Sequence, residues 1–327
     1  MRIAVFGAGA IGGHLAARLV RGGATVSVVA RGAQLAAIRA HGLRVQAPDW
    51  EGAATVAASE DPATLGVQDA VLVTVKAPAL TGVAAGIAPL LGPDTPVVFV
   101  MNGIPWWYFH GHGGPWDGRR LPQSDPDGSV WERIGPGRAI GGVVYSACTV
   151  MAPGVIAVAN KRSKLVLGEP DGCQSTRIAA IAAPLRAAGI EVDETARIRD
   201  ALWQKLLSNL ATGPVSVLGG VAPKDLFADP AIQYAVRRCF EEGGALAAAM
   251  GCPVSVNIDA QIRHGLAMAH KPSILQDLEL GRPMEIDGIY TAALALARLA
   301  GVPTPTLDRL VALMIVRARA AGLYPSA

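Results

Sequence analysis

The opening of the chain constrains its fold more than any other stretch. A β-branched run, RIAVF, leads without a spacer into Gly7-Ala8-Gly9-Ala10-Ile11-Gly12, and Gly13 follows into a segment with Leu15, Leu19 and Val20 at helical spacing. Between a strand and a helix, each glycine has a distinct use. Gly7 permits a tight turn, Gly9 lets backbone approach a pyrophosphate, and Gly12 lets the helix pack closely, with the helix N-terminus facing the anion. Such a turn, with Ala8, Ala10 and Ile11 completing it, is expected to bind a dinucleotide. The bland alternative is an ordinary glycine turn, and the strand before it and helix after it weigh against that.

The rest of the first half supports the same architecture. TVSVVA, AVLVTV and PVVFV are short β-branched runs separated by Ala/Leu-rich segments, the pattern of a parallel sheet wrapped by helices. After Ile140 the pattern changes to VVYSACTV, GVIAVAN and SKLVLGE, read as strands joined by turns that extend the sheet. A helix through Ile181 and Leu185 and the run IEVDET close this domain. From Ile198 onward no convincing strand is seen, and the segments around Lys205, Val236, Leu275 and Leu296 read as helices. The expected fold is an α/β Rossmann-like dinucleotide-binding domain over residues 1–196, followed by an all-α domain over 197–327.

Composition excludes several other classes. With 327 residues, 51% apolar and 17% charged, the chain can bury two cores. A net charge of +3 without a long basic block argues for a small-molecule partner, with neither nucleic acid nor membrane surface. Cys148, Cys173, Cys239 and Cys252 are isolated and lack zinc-type spacing, as in a reduced, cytoplasmic protein. The first residues are too glycine-rich for a signal peptide. The uncharged stretch from Ala139 to Asn160 is long enough to span a membrane, yet Pro153-Gly154 divides it into two strand-like runs.

Beyond the second strand stands Arg31, where an NAD enzyme usually places an acid for the ribose 2′-hydroxyl. A guanidinium suits a 2′-phosphate, so NADPH is the expected cofactor; a solvated surface arginine is the alternative.

These residues resemble the ketopantoate reductase (2-dehydropantoate 2-reductase) family over nearly the whole chain. The resemblance is carried by GAGAIGG, VVARG, TVKAPAL around Lys76, VMNGI around Asn102, LWQKLLSNL around Lys205, and SILQDLELGRPMEIDG. It implies NADPH and a 2-oxo acid meeting in a cleft between a dinucleotide domain and a helical substrate and dimerisation domain. It assigns Lys205 as the catalytic lysine and Glu285 as the acid bonded to the reacting oxygen. Asn209, Ser273 and Asn102 bind substrate in this assignment, and Asn102 and Lys76 lie near the nicotinamide and the cofactor. The expected partners are a small 2-oxo acid and a second copy of the chain in a homodimer, with no resident metal.

The local chemistry can be weighed beside that assignment. Lys205 and Asn209 are four apart on a helix and share a face; a lysine ammonium there can stabilise and protonate the oxygen that a hydride transfer makes negative. A snorkelling surface lysine is the alternative. Ser273, followed three residues later by Gln276, also fits a capping box for a helix from Ile274. Glu285 and Asp287 precede a long helix, where any acid is favoured, so the role of Glu285 rests on the resemblance. Asn102 could equally be a turn residue beside Gly103.

Two departures bear on the substrate. Gly213, followed by Pro214, stands where the family often has an asparagine; a missing amide would remove a polar contact from the pocket and could admit a different 2-oxo acid. A long segment over about 104–137 carries Trp106-Trp107-Tyr108-Phe109, read either as a clasp that packs on the domain or covers a dimer contact, or as a substrate-pocket wall or lid. His110 and His112 are too few for a metal site. The expected reaction is NADPH-dependent reduction of 2-dehydropantoate to D-pantoate. The alternatives are a paralogous enzyme for a bulkier carbonyl or hydroxy compound and a non-catalytic NADPH-binding regulator.

Overall fold

A computed structural model describes residues 1–325. By its contacts the chain divides into two compact units, one of residues 1–101 and 105–198, the other of residues 102–104 and 199 onward.

The first unit begins with β1 (Arg2–Phe6), α1 (Ala10–Arg21), β2 (Thr25–Val29), α2 (Gly32–His41), β3 (Leu43–Ala47), β4 (Trp50–Ala54) and β5 (Ala57–Ser59). It continues with β6 (Ala70–Val73), α3 (Leu80–Gly86), β7 (Val97–Val100), α4 (Ser129–Arg133) and β8 (Ala139–Tyr145). β9 (Cys148–Ala152), β10 (Val155–Val158), β11 (Lys164–Gly168), α5 (Thr176–Ala187) and β12 (Glu191–Glu194) complete it. Eight strands form the main sheet in the order β12-β11-β8-β7-β6-β1-β2-β5. β1 pairs in parallel with β2 on one side and β6 on the other, so the order of building reverses between β1 and β6. A crevice opens beyond the C-terminal ends of strands at such a switch point, and ligands of open α/β sheets bind there. β6 and β7 are buried at every position, as strands covered on both faces must be.

One sequence expectation is corrected here. β8 and β11 do extend the main sheet, as an antiparallel pair, whereas β9 and β10 leave it. They join a second sheet of order β4-β3-β10-β9, in which β10 pairs in parallel with β3. β8 is buried along nearly its whole length, while β9 is half-buried to exposed. A strand with a single apolar face fits a small, one-sided sheet better than the middle of a covered one. The stretch from Ala139 to Asn160 is thus strand and hairpin; among the described residues no helix is long and apolar enough to cross a membrane.

Helix α1 ties the two sheets together. Its buried Arg18 pairs with Asp49 through two hydrogen bonds of 2.7 and 2.5 Å and stacks its guanidinium 5.5 Å from the centre of the Trp50 ring. His14 on the same helix meets Ser163 at 3.0 Å, and burial pushes its pKa down to about 4.

The long insertion packs on the body of its own unit. Trp106, Trp107, Tyr108 and Phe109 are each at most 1% exposed. Trp106 meets Phe99 of β7 edge to face at 5.2 Å and Trp131 of α4 at 5.9 Å. Asp125 then accepts from the backbone N–H groups of Val130 and Trp131, which fixes the first turn of α4. No group of side chains suited to a metal occurs among the described residues, the two insertion histidines included.

The second unit is built of helices joined by loops, with no strand among its described residues. It holds α6 (Ile198–Gly219) from Arg199 onward, α7 (Pro223–Leu226), α8 (Pro230–Ala249), α9 (Ile258–Ala267) and α10 (Ser273–Glu279). A π-helical turn, Asp287–Thr291, runs into α11 (Ala292–Ala300), and α12 (Pro305–Ala320) closes the unit. A π turn carries one residue more per hydrogen-bonded ring than an α turn, and such turns recur at functional sites.

Candidate active site

The cofactor end is assembled from backbone. Gly7 takes φ +104°, and a Cβ there would lie 2.6 Å from Val75 Cγ1. A Cβ on Gly12 would run into the Gly7 carbonyl oxygen and the Thr74 hydroxyl; that hydroxyl donates to the same carbonyl at 2.7 Å. Gly9, the residue before α1, faces open space. Ala10, Ile11 and Gly12 form the first turn of α1, which carries no acidic residue to compete with an anion. A cavity of about 310 Å³ opens here, lined by Gly7, Ala8, Gly9, Ala30, Arg31, Gln34 and Val150 among others. Arg31 stands exposed at the start of α2, on the rim of this cavity. Lys76 is exposed just past β6, at the sheet end where Thr74 N–H donates to Phe6 O at 3.0 Å.

The second unit gathers side chains instead. Lys205 and Asn209 lie one turn apart on α6, both partly buried. Burial pushes the Lys205 ammonium down to about 8, and the charge of Glu285 opposes that fall. Glu285 is itself buried, immediately before the helical turn that leads into the π segment. Asn102, expected with the cofactor domain, belongs by its contacts to this unit. The Ile104 N–H donates to the Gly288 carbonyl at 2.7 Å, and Gly103, at φ +84°, lies so close that a Cβ would overlap that carbonyl oxygen.

Ser273 opens α10 and is exposed, yet the expected capping box is not formed. Pro272 occupies the cap position and its carbonyl accepts from Leu275 and Gln276 at 3.0 and 3.1 Å, so the helix begins one residue early. The Gln276 side chain turns instead to the Lys271 carbonyl at 2.8 Å. The Ser273 hydroxyl is therefore left on the exposed first turn.

Gly213 acquires a physical reason. A Cβ there would overlap the Tyr290 hydroxyl, and Ile274 crowds the same point. Tyr290, on the π turn and 1% exposed, reaches the Asn209 carbonyl at 3.4 Å. Burial, with the charge of Glu285 adding to it, raises its pKa and keeps the phenol protonated as a donor. The space left by a glycine at 213 is thus filled by a hydroxyl from another element and does not enlarge a pocket. Sequence reading missed Tyr290, because 81 positions separate it from Asn209 and nothing local marks the pair. It likewise missed Gln34 and Val150 in the wall of the cofactor cavity.

A cavity at the glycine turn by a sheet switch point in one unit, and in the helical unit a lysine whose pKa is lowered by burial and raised by the charge of Glu285, fit a dinucleotide-dependent oxidoreductase of two domains. Comparison with known proteins narrows this class. Family profiles described as "Ketopantoate reductase PanE/ApbA" and "Ketopantoate reductase PanE/ApbA C terminal" match residues 3–106 and 197–318. A 2-dehydropantoate 2-reductase from Mesorhizobium japonicum is 45% identical, covering 99% of this chain and 100% of the relative. A Ralstonia solanacearum protein assigned as a ketopantoate reductase superposes with a TM-score of 0.92 at 41% identity, covering 99% of both chains. The crystal structure of 2-dehydropantoate 2-reductase from Methylococcus capsulatus gives 0.83 at 29% identity, covering 98% of both. The chain belongs to the ketopantoate reductase family.

Proposed function

We propose that the chain reduces a 2-oxo acid to a 2-hydroxy acid with NADPH, and that the substrate is 2-dehydropantoate, converted to D-pantoate on the way to pantothenate and coenzyme A. The observation that carries this reading is the placement of Lys205 and Asn209 one turn apart on one face of α6, with burial lowering the Lys205 pKa to about 8 against the charge of Glu285. An acid tuned close to the working pH is what protonation of a ketone oxygen requires.

When bound, the nicotinamide supplies a hydride to the carbonyl carbon. The oxygen gains a proton from the Lys205 Nζ as the carbon–oxygen double bond becomes a single bond, so ketone, hydride and proton balance as an alcohol. The carboxylate of Glu285 keeps Lys205 charged until that transfer and accepts a hydrogen bond from the new hydroxyl. Asn209 and Ser273 hold the substrate, with the exposed Ser273 hydroxyl on its carboxylate. Asn102 and Lys76 act beside the nicotinamide and the phosphates. The protein's own contribution is alignment and charge stabilisation.

The choice of NADPH over NADH rests on Arg31, whose exposed guanidinium at the cavity rim can take a 2′-phosphate in paired charge-assisted bonds. The proposal extends to a cytoplasmic enzyme and to a homodimer, the latter tested by sedimentation equilibrium.

The deciding experiment is an NADPH-oxidation assay over a panel of 2-oxo acids. Turnover greatest with 2-dehydropantoate is expected. Oxidation confined to bulkier carbonyl compounds would shift the reading to a paralogous reductase, and NADPH binding without turnover on any carbonyl would leave a cofactor-binding regulator.

A further inference from the structure

Gln34 lies in the first turn of α2, three residues after Arg31, and both halves of its side-chain amide are engaged outside the helix. The NH2 group donates to the Ala8 carbonyl at 2.6 Å, and the amide oxygen accepts from the Gly154 backbone N–H at 2.9 Å. A backbone carbonyl only accepts and a backbone N–H only donates, so the reversed amide would satisfy neither partner. One side chain therefore joins three segments that share the 310 Å³ cavity. These are the glycine turn, the helix start that carries Arg31, and the tip of the β9–β10 hairpin, whose Val150 is a wall of the cavity.

The contact with Ala8 has a directional consequence. No cis peptide occurs among the described residues, and in a trans peptide the carbonyl and the following N–H point opposite ways. Fixing the Ala8 carbonyl on Gln34 fixes the Gly9 N–H in the other direction, at the residue before α1, a glycine that lines the cavity. Backbone N–H groups at a helix start are the donors a pyrophosphate uses. Docking of α2 does not depend on the amide, because the buried residues of this helix are Leu35 and Ile38.

We propose that Gln34 is a positioning residue for the dinucleotide: it turns the Ala8–Gly9 peptide so that the Gly9 N–H meets the pyrophosphate, and it holds the β9–β10 hairpin against the same cavity. The inference rests on the dinucleotide reading of that cavity and adds to it a residue outside the glycine motif.

The test uses the full chain with Gln34→Leu and Gln34→Met, which keep the apolar stem and remove both hydrogen bonds. NADPH affinity is read by nicotinamide fluorescence, and steady-state rates are taken with a 2-oxo acid. Loss of the donor to Ala8 should raise the NADPH Kd and KM about five- to tenfold. The KM for the oxo acid should stay within about twofold, as expected of a residue that touches no part of the oxo acid, and kcat at saturating NADPH should not fall. A variant that keeps the parent circular dichroism spectrum and the parent Kd overturns the proposal. So does a variant that loses only thermal stability, which would mark Gln34 as merely structural. Failure of the unaltered chain to bind NADPH would instead overturn the dinucleotide reading, and this inference with it.

Discussion

The glycine turn of the first unit and the lysine face of the second are built in opposite ways. At the turn, the proposed function rests on backbone, and the side chains that matter are the missing ones: an added Cβ at Gly7 or Gly12 meets Val75, the Gly7 carbonyl or the Thr74 hydroxyl. On α6 the proposed site is made of side chains present, Lys205 and Asn209, conditioned by Glu285 and Tyr290 from a distant stretch of sequence. Adding atoms should therefore damage the first region, and removing them the second. Arg31 and Gly213 are the exceptions that sharpen this rule, one a needed side chain at the cofactor end, the other a needed absence in the helical unit.

The largest expected effect comes from removing the acid. Lys205→Ala should lower turnover by about two or more orders of magnitude while NADPH affinity, held by the other unit, changes little. Near-normal turnover would break the division of labour. Next, Arg31→Ala should weaken NADPH by roughly tenfold to a hundredfold and leave NADH nearly unchanged, as loss of a charge-assisted pair predicts; equal losses with both cofactors would remove the 2′-phosphate assignment.

Gly213→Ala should cost about tenfold in kcat/KM through overlap with the Tyr290 hydroxyl. Tyr290→Phe, added to it, should return part of that loss. If the double variant is as impaired as the two single effects combined, the slot is not shared and the cycle shows no coupling.

The smallest effect is a displaced pH profile. In the proposed mechanism reduction needs the protonated Lys205, so kcat/KM should hold below about pH 8 and fall as the pH rises through it. Glu285 raises the Lys205 pKa against burial, so Glu285→Gln should move this limb to lower pH. A limb that stays in place in that variant would show that Glu285 does not act on the lysine.

Legibility in the sequence followed the range of the contacts. The β1 turn and α1 could be read because strand, glycines and helix are contiguous; the four-residue spacing of Lys205 and Asn209 fixes a shared helix face, but their roles came from the family resemblance. Glu285 and Ser273 came forward only through resemblance to a family, since an acid or serine at a helix start has an ordinary explanation. The second sheet was not legible. β4 has the sequence WEGAA and little strand character, and β10 finds β3 across more than a hundred residues in a register no local pattern encodes. Gln34 is silent for the same reason, its partners lying 26 and 120 positions away. The aromatic quartet announced order, but whether it would face a ligand or the interior depended on Phe99 and Trp131, which flank it in space and not in sequence.

The parallel pairing of β3 with β10 also dictates a sequence of events during synthesis. A nascent chain that has emerged through α2 already holds β1, the glycine turn and Arg31, yet it lacks β10, Val150 and the Gly154 partner of Gln34. Non-local strand pairing forms late because the intervening loop must be closed first. The cavity is therefore finished only after the chain through Val158 is available, so the dinucleotide proposed to bind there would stabilise the completed first unit and not serve as a template for its earliest folding.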